Sequence, residues 1–265
     1  MILFKTEEDM KSFCFTVDDN IRSFKELTEG EYASMFEHPY LALYKRLHER
    51  YGLCVQLNLF YECDGFDLSQ MTERYREEWK ANADWLKLSF HSRLENERPY
   101  EYSEYDEVYR DCSAVHREIL RFAGEPSLAK TTTLHYCLAT HEGLHALRDC
   151  GVCGLLGLYG SIKAPRTSYQ TSTLCAGILR QGRLLYDGGI AYAGIDIVLN
   201  CFEREQILEQ LSILKERDIV KVMIHEQYFY PDYFNHQPDF EQKLDDTFAY
   251  LCENGFKSQF YENVI

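Results

Sequence analysis

The sequence predicts an α/β protein: a distorted (β/α) barrel of about seven parallel strands, with residues 1–265 forming one domain. Three observations carry this reading. Short apolar runs rich in Val, Leu and Phe alternate with longer amphipathic segments almost from end to end, the pattern of parallel strands joined by right-handed helical crossovers. The 265 residues are 45% hydrophobic and 27% charged, which supplies apolar material for one large core. No Pro- or Gly-rich linker, low-complexity tract or internal repeat interrupts the chain. A doubly wound open sheet is the second arrangement with the same rhythm.

The elements follow in order. SFCFTV (12–17) is the first strand, and the helix beginning at Pro39 spaces Leu41, Leu43, Tyr44 and Leu47 along one face before Gly52 stops it. CVQLNLFY (54–61) is the second strand. Ser69 is expected to cap a helix carrying Met71, Tyr75 and Trp79, and WLKLSFH (85–91) is the third strand. Residues 104–123 form a helix ending at Gly124, and TTTLHYCL (131–138) reads as a strand. Thr140 caps a short helix that stops at Gly151, and VCGLLGLY (152–159) is again a strand. Residues 161–200 break the rhythm and read as a loop followed by hairpin-like strands around RLLYD and IAYAGIDIVL. Residues 203–217 return to helix, VKVMIH (220–225) to strand, 239–254 to helix, and FKSQFY (256–261) to a last strand.

The net charge of −15 argues against a nucleic-acid partner and against an anionic membrane surface, both of which call for clustered Lys and Arg. No apolar run reaches the roughly 18 residues of a membrane span. The opening MILFKTEEDMK lacks the basic start and long apolar stretch of a signal peptide, so a cytoplasmic location is expected. The ten cysteines are scattered, mostly in apolar surroundings where a reduced thiol acts as a small hydrophobe. Cys150 and Cys153 form a lone C-x-x-C that reads as packing at a helix-to-strand junction.

In a (β/α) barrel the strands deliver functional side chains at their C-terminal ends. Asp18 and Asp19 close the first strand and His91 the third. His135 lies late in the fourth, and His225, followed by Glu226, ends the strand before the last helix. Neighbouring strand residues point in different directions, so one Asp can bind a metal while the other faces substrate as a base. One carboxylate with imidazoles suits zinc or another first-row divalent ion such as nickel, cobalt or iron. Blander roles exist for each: an Asp pair can cap the next helix, and a strand-end His can be a hydrogen-bonded structural residue. His38, His48, His116 and His236 fall on helices or loops and receive no chemical role. His141-Glu142-Gly143-Leu144-His145 fits H-E-x-x-H, but its helix is short, a third zinc ligand is not evident, and Leu144 and Leu147 turn the histidines outward.

These residues also carry a family resemblance. FTVDDN (15–20) resembles the T-F-D-D motif of polysaccharide deacetylases, the family-four carbohydrate esterases; FHS (90–92) resembles the start of their H-S-x-x-H metal motif, and MIH (223–225) their late L-x-H motif. The resemblance implies a distorted barrel, with Asp18 as catalytic base, Asp19 and His91 as metal ligands, and His225 as general acid. The second His of H-S-x-x-H is absent, leaving Glu95 at the place to inspect and His135 as the preferred third ligand. The family's R-x-P-Y element has no counterpart at the expected strand, since Arg98-Pro99-Tyr100 lies too close to His91.

The implied function is removal of an acyl group, as amide or ester, from a carbohydrate derivative by a metal-dependent hydrolase, on a small sugar substrate. Tyr228, Phe229, Tyr230 and Tyr233 offer a stacking surface, or simply a lid over the barrel mouth. The alternative is a catalytically inactive carbohydrate- or metabolite-binding barrel. A phosphoesterase would need Arg93 or Arg98 to clamp phosphate. Asp196 orients a site residue or serves the core.

Overall fold

A computed structural model describes residues 11–95, 100–160 and 166–265. The readings placed on the first ten residues, on Arg98 and Pro99, and on 161–165 lie outside them. The strands are β1 Ser12–Asn20, β2 Val55–Phe60, β3 Glu62–Cys63, β4 Phe66–Asp67, β5 Leu86–Ser92, β6 Thr131–Thr132, β7 Gly154–Gly157, β8 Leu185–Asp187, β9 Ile190–Gly194, β10 Ile197–Val198, β11 Ile219–His225 and β12 Lys257–Ser258. The helices are α1 Arg22–Glu29, α2 Pro39–Tyr51, α3 Arg76–Ala81, α4 Tyr105–Phe122, α5 His141–Asp149, α6 Thr173–Arg180, α7 Arg204–Leu214 and α8 Phe240–Glu253.

The main sheet runs β10-β11-β1-β2-β5, with every pairing parallel and β12 beside the start of β1. A second sheet, β6-β7-β9-β8, is parallel except for the β8–β9 hairpin. The parallel α/β architecture expected from the rhythm is therefore present, divided between two sheets. They adjoin along β5, where the Ala129 N–H donates to the Leu88 carbonyl at 2.8 Å and the Ser89 hydroxyl to the Thr131 carbonyl at 2.7 Å. At the other side β9 runs into β10, and the Asp196 N–H donates to the Lys221 carbonyl at 2.9 Å. Asp196 serves the core: its carboxylate pairs with buried Lys221 at 2.9 Å and with Arg217 at 2.5 Å.

Strand alternation sorts the buried residues. Phe15, Val17, Leu57, Leu59, Leu88 and Phe90 form one set inside the main hydrophobic cluster, whereas Thr16, Asp18, Gln56, Asn58, Ser89 and His91 form a buried polar set at the intervening positions. That polar set positions the site.

The end of β1 is tied down from outside its own strand. Asp18 lies in register with His225 on β11. At Asp19 the backbone takes φ 64°, and the β1–β2 register shifts between Val17 and Asn20. The first turn of α1 is then capped by the Glu226 carboxylate, which accepts from the Ile21, Arg22 and Ser23 N–H groups at 2.8, 3.0 and 3.0 Å.

Four local expectations are corrected. Ser69 does not begin a long helix: a 3-10 turn over Leu68–Gln70, capped by Asp67, precedes α3. TTTLHYCL is a strand only at Thr131–Thr132, because Tyr136 and Cys137 adopt φ 59° and 56°, outside the strand region. The 161–200 region contains a helix, α6, which Ser172 caps by accepting from the Cys175 N–H. FKSQFY pairs only through Lys257–Ser258.

All ten cysteines are free, and the C-x-x-C pair spans the junction between α5 and β7. Contact with the buried Cys112 thiol, helped by Ser113 at 3.4 Å, outweighs burial and lowers the Cys150 thiol to about 7. Burial pushes Cys14 and Cys137 up to about 12. Iodoacetamide labelling of the native protein, read by peptide mass spectrometry, should therefore modify Cys150 first. The rate should climb through pH 6–8 as the thiolate forms, while Cys14 and Cys137 stay unmodified. Removing the α1 cap in Glu226→Ala should lower stability in urea by about 1–3 kcal/mol, since three N–H groups lose their acceptor.

Candidate metal centre

Three strand ends and one turn meet in a cavity of about 330 Å³ whose walls include Asp18, Asp19, His91, His135, His225 and Tyr228. Asp19 Oδ1 lies 3.0 Å from His91 Nε2 and 3.2 Å from His135 Nδ1, and these two nitrogens are 3.2 Å apart. Among the described residues, Asp19, His91 and His135 are the group of metal-ligating side chains that converges this closely.

The outer bonds of the two imidazoles determine what they present to one another. His91 Nδ1 faces the Thr133 carbonyl and His135 Nε2 the Glu95 carbonyl. A carbonyl can only accept, so both protons are used outward. His91 Nε2, His135 Nδ1 and Asp19 Oδ1 then point three lone pairs at one spot. That arrangement is repulsive unless a cation or an added proton sits among them, and carbonyl-anchored histidines are the usual support of a metal ligand set. The donor set fits a divalent ion of the zinc class, with room in the cavity for a further ligand.

His135 reaches this point because its strand stops. The consecutive left-handed residues Tyr136 and Cys137 turn the chain, at a backbone cost of order 1–3 kcal/mol each. Tyr169 braces the turn: its hydroxyl accepts from the Leu134 N–H at 3.2 Å and donates to the Leu156 carbonyl, while its own N–H donates to the Cys137 carbonyl at 3.1 Å.

The two neighbouring aspartates sit in opposite electrostatic settings. Burial, reinforced by the adjacent Asp19, holds the Asp18 carboxyl well above the usual range, and the Asn58 amide at 2.7 Å offsets this only in part. Burial would raise Asp19 too, but the close His135 and His91 rings and the nearby His225 outweigh it and hold Asp19 well below the usual range. Gln227 adds a bond to Asp19 Oδ2 at 2.6 Å. Asp18 Oδ2 stands 4.0 Å from His91 Nδ1. His225 is lowered by burial despite Asp19, and donates Nδ1–H to Asn200 Oδ1 at 2.9 Å.

All five expected site residues thus line one cavity. The Glu95 carboxylate does not join the triad and instead accepts from the Cys63 thiol at 3.2 Å; only its backbone carbonyl serves the site. Of the aromatic run, Tyr228 and Tyr233 face the cavity, whereas Phe229 and Tyr230 turn inward against Tyr40. His141 and His145 are exposed on α5, with Leu144 and Leu147 buried beneath them as expected. Sequence reasoning missed Asn58, Gln227 and Asn200. Gln56 and Asn58, polar residues inside an otherwise apolar strand, were a usable signal for the first; the other two had none.

No family model matches the chain, and no curated protein sequence matches it. Solved structures do. The 4-alpha-glucanotransferase from Thermococcus litoralis aligns over 96% of this chain with a TM-score of 0.61 and 14% identity, and the chain spans 40% of that protein's length. The peptidoglycan N-acetylglucosamine deacetylase Bc1960, solved with 4-naphthalen-1-yl-N-oxidanyl-benzamide, aligns over 95% of this chain and 86% of its own, with a TM-score of 0.54 and 11% identity. At these identities the likeness is one of fold alone, and both proteins share it with this chain.

The roles of Glu95 and His135 are separable by metal content after loading with zinc. Glu95→Ala should retain bound metal at this centre, and His135→Ala should lose it.

Proposed function

We propose that this chain is a metal-dependent hydrolase that removes an acyl group, as amide or ester, from a carbohydrate derivative, with the two sheets acting as one distorted (β/α) barrel. The observation that carries the reading is the triangle of Asp19, His91 and His135, whose outward protons are already committed to carbonyls. The deacetylase-like fold supports it, and so does the order of the motifs along the chain.

Asp19, His91 and His135 hold the divalent ion, which supplies Lewis acidity toward an acyl carbonyl. Asp18 is the base that takes a proton from water; Asn58 holds one of its carboxylate oxygens and leaves the other on the His91 side. His225 lines the same cavity, and Asn200 occupies its Nδ1–H, so Nε2 is the atom that, once the ring has taken up a second proton, gives that proton to the departing amine or alkoxide. Tyr228 and Tyr233 form the apolar wall against which a sugar ring stacks. A small acylated sugar met in the cytoplasm fits the cavity volume and the acidic chain better than a nucleic acid or a charged membrane.

The test is hydrolysis of acylated aminosugars and acetylated sugars by protein loaded with zinc, nickel or cobalt. Activity should fall with metal removal and in Asp19→Ala. Asp18→Asn should retain metal and lose about 10²–10⁴-fold in kcat, the scale of a general base. A protein that cannot be loaded at this centre overturns the reading.

A further inference from the structure

We infer that His141 and His145, with the Asp187 carboxylate, form a second divalent-cation site between α5 and the β8–β9 hairpin, separate from the centre at Asp19. It would take zinc, nickel or copper. The site goes beyond the proposed hydrolase and does not depend on it.

Helical spacing places the two imidazoles one turn apart on the solvent face of α5, because Gly143, Leu144, Ala146 and Leu147 are its buried face. Their ring centroids are 6.1 Å apart and the planes are within 26° of parallel. Gly143, between them, brings the helix close to α4: a Cβ there would lie 3.1 Å from Val108 Cγ2.

The third ligand comes from far along the chain. Asp187 pairs with Ile190 across a two-residue turn whose glycines, Gly188 and Gly189, take φ 56° and 85°. This turn rests on α5, since a Cβ on Gly189 would lie 3.3 Å from Arg148 Cδ. His141, His145 and Asp187 consequently share a cavity of about 270 Å³, walled otherwise by Leu144, Ile190 and Tyr192. Among the described residues, none of the three side chains makes a hydrogen bond or an ion pair, although His145 lies near enough to Asp149 to help lower that carboxyl. The ligand atoms of these three exposed side chains stand farther apart than those of the Asp19 triad, so an ion would draw them together by side-chain rotation; two imidazoles and a carboxylate match the preferences of a borderline-soft divalent ion. Bound there, the ion would tie the hairpin to the helix and stabilise the folded chain by linkage.

The test is calorimetric titration of zinc chloride into the metal-free full-length protein, for wild type, Asp19→Ala, His145→Ala and Asp187→Asn. The last two substitutions lie at surface positions. Asp19→Ala should keep one zinc-binding event. His145→Ala should lose that event, and Asp187→Asn should weaken it at least about tenfold, the loss that even a group bonded only to the ligands of a metal can cause. Isotherms of His145→Ala and Asp187→Asn identical to wild type would overturn the proposal, as would an event lost in His145→Ala but untouched in Asp187→Asn. If the centre at Asp19 binds nothing, wild type should give a single event abolished by His145→Ala, so the two readings fail separately.

Discussion

Two adjacent carboxylates buried at the end of a central strand cannot both remain charged without partners, and the surrounding structure answers that constraint. Asp18 and Asp19 are almost fully enclosed, in a setting where an uncompensated charge would be heavily penalised. The strand breaks its register at this point, and Asp19 takes a left-handed conformation that separates the two side chains. Asp18 turns to Asn58, and Asp19 to the histidines and Gln227. One carboxyl is driven up and its neighbour down, although they are consecutive in the chain. Environment rather than residue type sets the two carboxyls apart here.

That separation requires a polar interior. Gln56 donates to Asn58 Oδ1 at 2.8 Å and to the Thr131 carbonyl at 2.9 Å, and the Thr131 hydroxyl returns a bond to Gln56 at 2.9 Å. The chain Asp18–Asn58–Gln56–Thr131 crosses from the main sheet to the second one, so the network that holds Asp18 also joins the sheets. Every member being satisfied, it stiffens the centre instead of weakening it. Glu226 does the same for the adjoining loop by converting the first turn of α1 into a fixed anchor.

Much of the fold was legible from periodicity. Strands β1, β2, β5 and β11 and helices α2, α4, α5, α7 and α8 stand where the apolar runs and helical stripes placed them. The failures have local causes. Asp67 and Ser69 spend their polar groups on a 3-10 turn, α6 hides in a stretch whose Gly and Thr content reads as loop, and Tyr136 with Cys137 ends a run that alternates like a strand. Asp18, Asp19, His91 and His225 could be named because strand ends in this architecture converge. Asn58, Gln227 and Asn200 could not be assigned roles, because they act through partners 40, 208 and 25 residues away.

By itself the sequence determined which residues are buried in strands and helices, and therefore which carboxylates and imidazoles arrive at strand ends; period-two and period-3.6 patterns are local properties of the chain. Only the tertiary structure decided that His135, and not the Glu95 carboxylate, completes the triad, since a pair of left-handed residues and the Tyr169 brace turn one inward while Cys63 holds the other aside. It likewise decided which of two adjacent aspartates carries its charge. Burial and hydrogen bonds from distant strands set that balance, and neither is written in the spacing of residues.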